Sequence, residues 1–394
     1  MSFISDPPQG SDQNHAISLA AERAVLEGAL TFRVVGHVGG SYSLARVNRA
    51  LALALANVRP GRVRIAAIPG ASWREWWHVA PSERWRLLRL RRLLPPGVEV
   101  VISQHYPLHV PARRGAVNFA LFFWEESLIP AETIEALNAG FNGVLAPSQF
   151  VAEALMRSGL EIPVHCVGLA PDLAPFQRLR RSSSEITRFL HISSGFPRKG
   201  VDVLLRAYAE AFRVGDPVEL VIKCSPNPHN DVAAQLAACR AAQPNLAPIR
   251  LIDADIAEAD MLTLYRNADV MVLPSRGEGF NLPAAEAMAA GLALIVSEIG
   301  GHTDFCTPAT ARLVACRMTA SRSHLSIPGS QWAEPDAADM VRALREATLG
   351  VDPVRLARAA IIVGEMTPAR LAERISCAAL SHLVQAGARD QLRG

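Results

Sequence analysis

The chain has 394 residues, half of them hydrophobic and 20% charged, and its formal net charge is +3. That length suits two domains with sizeable cores, and so mild a charge gives no support for nucleic-acid binding. Six scattered cysteines with no Cys-x-x-Cys pair point away from a disulfide framework or a zinc site and towards packed thiols in a reducing cytosol.

Residues 1–24 read as a polar tail leading into a short helix. Asp6, Pro7, Pro8, Gln9, Gly10, Asp12 and Glu22 would spoil the apolar core of a signal peptide. No uninterrupted apolar run approaches the ~20 residues that span a bilayer, so the expected place is the cytoplasm. From 25 to 172 apolar strands alternate with helices: strands are expected at 31–35, 63–68, 98–102, 116–122, 143–146 and 164–167. After the first strand comes a tight loop, Gly36-His37-Val38-Gly39-Gly40-Ser41, and then Leu44, Val47, Leu51 and Leu55 at helical spacing. This alternation predicts a parallel sheet. Gly-x-x-Gly-Gly is not the dinucleotide fingerprint, which disfavours a nicotinamide-dependent oxidoreductase.

Within this half, residues 82–95 hold five arginines and Trp85, next to Trp73, Trp76 and Trp77. A basic, aromatic helix could rest on an anionic membrane at the inner face. Its leucines and arginines scatter round the helical wheel, however, so an ordinary surface helix is the simpler reading. His105 follows the third strand, where it is either structural or turned towards a substrate.

Residues 173–186 carry Pro175, Arg178, Arg180, Arg181 and three serines and read as an inter-domain linker. A second alternation fills 187–365, with strands at 189–192, 220–223, 248–253, 270–273 and 293–297 and helices at 201–212 and 261–267. Two helices close the chain, over 336–349 and from Thr367-Pro368 onward. In the second of these Thr caps and Pro takes the first turn.

Two strand–loop–helix junctions in the second half carry the chemistry. The first is Ser193-Ser194-Gly195-Phe196-Pro197-Arg198-Lys199-Gly200, with two adjacent cations. Lysine occurs only at Lys199 and Lys223, so 38 of the 40 basic residues are arginine. A lysine retained against that bias marks a place for a compact, mobile ammonium. The second junction runs Pro274-Ser275-Arg276-Gly277-Glu278-Gly279-Phe280-Asn281-Leu282-Pro283 and on to Glu286, with Pro283 in the first helical turn. Free backbone N–H groups at such a helix start suit a phosphate. Glu286 lies among Leu, Pro, Ala and Met, so its carboxylate needs a partner, either local or a ligand hydroxyl.

The second junction resembles the donor-site signature of the retaining glycosyltransferases of family four, Glu-Gly-Phe-x-Leu-Pro followed by x-x-Glu-Ala-Met-Ala-x-Gly, with Gly291 closing it. Lys199-Gly200 matches a further family pair; the arginine that relatives commonly carry five positions earlier is Ser194 here. Trp124-Glu125-Glu126-Ser127 with Pro130, Pro147-Ser148-Gln149-Phe150-Val151 and Trp332-Ala333-Glu334-Pro335-Asp336 resemble a subgroup of that family. Gly300-Gly301-His302-Thr303-Asp304 matches its next glycine pair and acid. The resemblance covers roughly residues 31–380.

It implies a B-type glycosyltransferase fold: two Rossmann-like, doubly wound, mainly parallel α/β domains facing across a cleft, with the 366–394 helix returning to the first. It implies hexose transfer with retention from a nucleotide-diphosphate sugar to a hydroxyl of a glycan or lipid-linked acceptor, with no cofactor and no metal. In the roles it assigns, Lys199 and Arg198 steady the departing diphosphate and Glu278 touches the sugar. Gly279, Phe280, Asn281 and Leu282 receive phosphate or sugar oxygens, Glu286 holds the ribose, and Gly39 and Gly40 approach the phosphate. Trp124, Glu125 and His105 lie on the acceptor side. A binding or scaffolding relative that has lost turnover is the alternative, favoured by Ser194 and opposed by intact Glu278, Glu286 and Lys199.

Overall fold

A computed structural model describes residues 26–40, 42–68, 79, 81–111, 114–180 and 184–391. The tail expected at 1–24, the loop residue Ser41, Trp73, Trp76, Trp77, and Arg181 with two of the linker serines lie outside the described residues.

The first sheet has six strands, β1 (Leu30–Gly36), β2 (Val63–Ala67), β3 (Val98–Gln104), β4 (Val117–Leu121), β5 (Gly143–Ala146) and β6 (Val164–Cys166), in the order β2-β1-β3-β4-β5-β6. The second comprises β7 (Thr187–Ile192), β8 (Val218–Cys224), β9 (Ile249–Asp253), β10 (Val270–Leu273), β11 (Ala293–Ser297) and β12 (Arg312–Val314), in the order β12-β11-β10-β7-β8-β9. Every neighbouring pair of the second sheet runs parallel. These strands are continuous apolar runs because helices cover both faces; β10 and β4 are buried along their whole length. The fold is therefore two Rossmann-like α/β sheets, as the alternation predicts.

Chain contacts divide the molecule into two compact units, one built on residues up to 120 with 140–143 and 368 onward, the other on 121–139 and 144–367. In the first, the closing helix Pro368–Gln391 packs on the Ser43–Val58 helix. In the second, the Val201–Ala211 helix turns Val201, Leu204, Leu205 and Tyr208 onto Phe189, Leu220 and Val270. Burying each large apolar side chain contributes about 1.5–3 kcal/mol.

Several features depart from the sequence reading, among them the edge strand β12 and the Val232–Ala242 helix, neither of which it expected. A short helix, Ala174–Gln177, interrupts the stretch read as a linker, and its buried Phe176 meets the Tyr265 ring edge-on at 4.8 Å. An antiparallel hairpin, β13 (Cys316–Ala320) and β14 (Gln331–Pro335), follows the second sheet. A helix at Pro353–Gly364 stands between the two expected at the end. The arginine-rich segment 82–95 is helical only through Pro81–Arg89, with Leu87 buried and Trp85 turned outward.

Candidate functional site

Each sheet reverses its strand order once, between β1 and β3 and between β7 and β10. Ligands of open α/β sheets bind beyond the carboxyl ends of the strands at such reversals. Lys199 follows β7 and Glu278 follows β10, so neighbouring strands deliver them to one place.

The approach depends on two glycines. Gly200 has a φ of 69°, and a Cβ there would collide with the Pro274 carbonyl, so the turn carrying Lys199 can lie against the end of β10. A Cβ on Gly277 would strike the Glu125 carbonyl in the same way. Between these turns Lys199 Nζ donates to Glu278 Oε1 at 2.7 Å, and Ser275 Oγ donates to the same oxygen at 2.7 Å. Arg198 stands 3.9 Å from Glu278 Oε2 and 3.0 Å from Glu125, and donates to the Gly277 carbonyl. Glu278 is 6% exposed. Burial pushes its carboxyl up, but the Lys199 and Arg198 charges, with the Lys199 and Ser275 hydrogen bonds, outweigh it and hold the group down at about 2. Burial and the neighbouring Arg198 lower Lys199, against the pull of Glu278 and Glu125.

Two buried histidines flank the pair. His191 meets the Val272 carbonyl and Ser193 Oγ, both at 2.8 Å, and burial pushes it down to about 4. His302 meets the Ser297 carbonyl at 2.6 Å and is lowered chiefly by burial. Burial favours the neutral ring in both, and each ties its loop to a backbone carbonyl.

The helix after the second junction, Leu282–Ala289, begins at Asn281, which has a φ of 74° and makes no side-chain cap. Asn281 Nδ2 is buried without a hydrogen-bond partner. Four residues into that helix, Glu286 is 3% exposed and accepts from the Tyr265 hydroxyl at 2.6 Å. A local partner for this acid therefore exists, a tyrosine from the preceding helix, which nothing in the sequence singled out.

Arg276 was also passed over. Its five N–H groups reach the Pro197 carbonyl, both oxygens of Asp202 and both oxygens of Glu334, and Trp332 lies over the guanidinium at 5.2 Å. One side chain thus ties the turn bearing Lys199 to the loop bearing Glu278 and to the hairpin. Its charge is held well above the ordinary range by these acids, which overcome the cost of burial.

Among the other expected residues, Trp124 is buried, donates Nε1–H to the Leu128 carbonyl, and sets its backbone against Gly279. Ser148 donates to the Gly279 carbonyl at 2.7 Å. Gly279 and Phe280 are buried around these contacts, and Leu282 is half-buried. Trp124, Glu125 and Ser148 therefore brace the Glu278 loop. Gly39, Gly40 and His105 lie in the first unit, after β1 and β3 at that sheet's own reversal. There Arg49 donates to the Val38 and Gly40 carbonyls, and the His37 and His105 rings stack at 4.2 Å. A cavity of about 350 Å³ lined by Arg188, Glu219 and Arg250 opens near the amino ends of β7, β8 and β9, away from this chemistry.

Among the described residues no helix is long and apolar enough to cross a membrane, and no group of three or more His, Cys, Asp or Glu side chains is placed to hold a metal ion.

Residues 187–322 match the family described as glycosyl transferases group 1. A stretch of 157 residues is 34% identical to MMP alpha-(1->4)-mannosyltransferase of Mycolicibacterium hassiacum, covering 38% of this chain and 36% of that protein. Another of 235 residues is 30% identical to phosphatidyl-myo-inositol mannosyltransferase of Mycobacterium leprae, covering 54% and 58%. The chain thus spans between a third and somewhat over half of these relatives. A glycosyltransferase from Rickettsia africae superposes with a TM-score of 0.63 at 15% identity over 90% of this chain and 99% of its own. HepE from Anabaena, solved with UDP and glucose, gives 0.57 at 12% over 89% and 100%. Residues 187–322 therefore carry the similarity to group 1 glycosyl transferases, within a chain whose two six-stranded sheets have the B-type glycosyltransferase fold.

Proposed function

We propose that the protein is a metal-independent, retaining glycosyltransferase that moves a hexose from a nucleotide-diphosphate sugar to a hydroxyl of a glycan or lipid-linked acceptor in glycoconjugate assembly. The carrying observation is the Lys199–Glu278 pair, set at a strand-order reversal beside the start of the Leu282–Ala289 helix. The mannosyltransferase relatives and the neighbour holding UDP and glucose support the donor class.

In this reading the glycosidic C–O bond breaks and its electron pair passes to the diphosphate. Lys199, Arg198 and the free N–H groups of the helix stabilise that charge as it develops. Glu278 Oε1 is engaged by Lys199 and Ser275, which leaves Oε2 to accept from hydroxyls of the sugar. A leaving phosphate oxygen takes the acceptor's proton, and attack from the same face preserves the anomeric configuration. Glu286, steadied by Tyr265, holds the ribose. Glu125 serves the acceptor.

The test is a thermal-shift screen against UDP-, GDP- and ADP-sugars, followed by transfer assays with the stabilising donor and NMR of the product anomer. Product of inverted configuration would remove the retaining mechanism, and no response to any donor would remove the donor reading. A binding protein without turnover is the second reading, favoured by the uncharged Ser194. Tight donor binding with neither hydrolysis nor transfer would select it.

A further inference from the structure

The second lysine stands on the strand next to the one that leads into the first. Lys223 is the penultimate residue of β8, level with Ile192 on β7, and its carbonyl accepts from Ser193 N at 3.1 Å. Its side chain is turned into the protein, leaving the residue 5% exposed. Nζ donates to Ser225 Oγ at 3.0 Å, one use of three N–H groups. Among the described residues no carboxylate oxygen comes within 4.0 Å of it. Asp253 and Asp255 act on it only from farther off, and Asp253 Oδ1 already accepts from Asn230 at 2.8 Å. Burial lowers the ammonium in consequence.

An ammonium buried without a close counter-charge is costly, and a chain that otherwise uses arginine has kept lysine here. The surroundings are ordered for it. Asn227 Nδ2 donates to the Ser194 and Ser225 carbonyls at 2.6 and 2.9 Å, joining the loops after β7 and β8 around the Lys223 head. Ser193 and Ser194 bring no charge to this corner. An ammonium only donates, so its missing partner is an acceptor, and only an anionic acceptor also offsets the cost of burying the charge.

Resting on the transferase reading above, we propose that Lys223 is a second cation of the donor site, binding a phosphate oxygen of the nucleotide from the β8 side while Lys199 holds the diphosphate from the β7 side. The two lysines of the chain then serve one ligand.

The experiment is calorimetric titration of wild type and Lys223→Met with the nucleoside, nucleoside monophosphate and nucleoside diphosphate of the donor base. Lys223→Met should bind the mono- and diphosphates about ten- to a hundredfold more weakly, with nucleoside affinity unchanged and a shallower dependence on salt. Its melting temperature without ligand should equal or exceed that of wild type, because an unpaired buried charge is gone. Should Lys223→Met not fold, Lys223→Gln carries the same comparison. Unchanged diphosphate affinity overturns the proposal, as does an equal loss for the bare nucleoside. Wild-type protein that binds no nucleoside diphosphate sinks the transferase reading instead, a separate failure.

Discussion

The Tyr265 hydroxyl donates to Glu286 Oε2 at 2.6 Å inside a helix otherwise made of Leu, Pro, Ala and Met. The tyrosine is itself fixed by Phe176 from the segment that precedes the second sheet. A buried carboxylate assigned above to the nucleotide ribose is thus already oriented by the protein itself. Tyr265→Phe should destabilise the protein by about 1–3 kcal/mol, because it strips a partner from a buried charged group. In a Tyr265→Phe, Glu286→Gln double-mutant cycle by urea denaturation, additive effects would show that the pair is uncoupled.

Glu278 gives the acid limb of stability a definite direction. Its folded carboxyl titrates at about 2 against an unfolded value of about 4.3. Its contribution is therefore complete above roughly pH 5 and disappears as the pH falls through 4 towards 2, a loss on the order of 3 kcal/mol. Lys199→Met leaves burial as the dominant influence on Glu278, which lifts its folded carboxyl above the unfolded value, so the variant should lose this acid-induced fall and instead gain stability from Glu278 as the pH drops from 7 towards 4. Superimposable melting profiles from pH 3 to 7 would contradict the pair.

The same substitution class separates binding from chemistry. Lys199→Ala should lower kcat by several orders of magnitude more than it raises the donor dissociation constant, because leaving-group charge develops only as the bond breaks. Equal losses in single-turnover rate and donor affinity would make Lys199 a simple binding residue.

How much of this was readable beforehand follows from the range of the interactions. The strands of both sheets, apart from the three-residue edge strand β12, were legible because buried parallel strands are unbroken apolar runs, and the two junctions because their glycines and Pro283 mark strand–loop–helix turns. Asp202 and Glu334 lie 74 and 58 positions from Arg276, and nothing local announces such a meeting. The hairpin was missed because Cys316-Arg317-Met318-Thr319-Ala320, although it alternates apolar and polar residues, is short and largely exposed, so no buried face marks it. The Pro353–Gly364 helix did carry a signal. Asp352 caps it through Val354 N at 2.9 Å, the same cap-and-proline device recognised at Thr367-Pro368.

Arg276 offers a test of whether that unreadable part matters. Arg276→Met leaves Asp202 and Glu334 without their shared cation and the Pro197 carbonyl without its donor, and should cost about 3–5 kcal/mol. Arg276→Lys should recover little of this, because a point charge cannot replace five N–H groups in a planar fork. Denaturation of the two variants checks the ranking; a lysine variant as stable as wild type would mean that charge alone suffices.

Gly277 is the position where the Glu278 loop can least tolerate a side chain. Its φ is not in the left-handed region, so alanine brings no backbone strain, and the whole effect must come from the added methyl against the Glu125 carbonyl. That carbonyl belongs to the chain following buried Trp124, whose indole is hydrogen-bonded to Leu128, so it cannot give way cheaply. Overpacking of this kind costs typically about 1–3 kcal/mol. The displacement would fall on the loop that fixes Glu278 against Lys199 and Arg198. Gly277→Ala should therefore lower both melting temperature and donor affinity, whereas Gly159→Ala, with open space around its Cβ position but a φ of 89°, should lower melting temperature and leave donor affinity intact. Thermal melts paired with donor titrations on both variants measure the contrast, and a Gly277→Ala protein with wild-type donor affinity would show that the loop can shift without consequence.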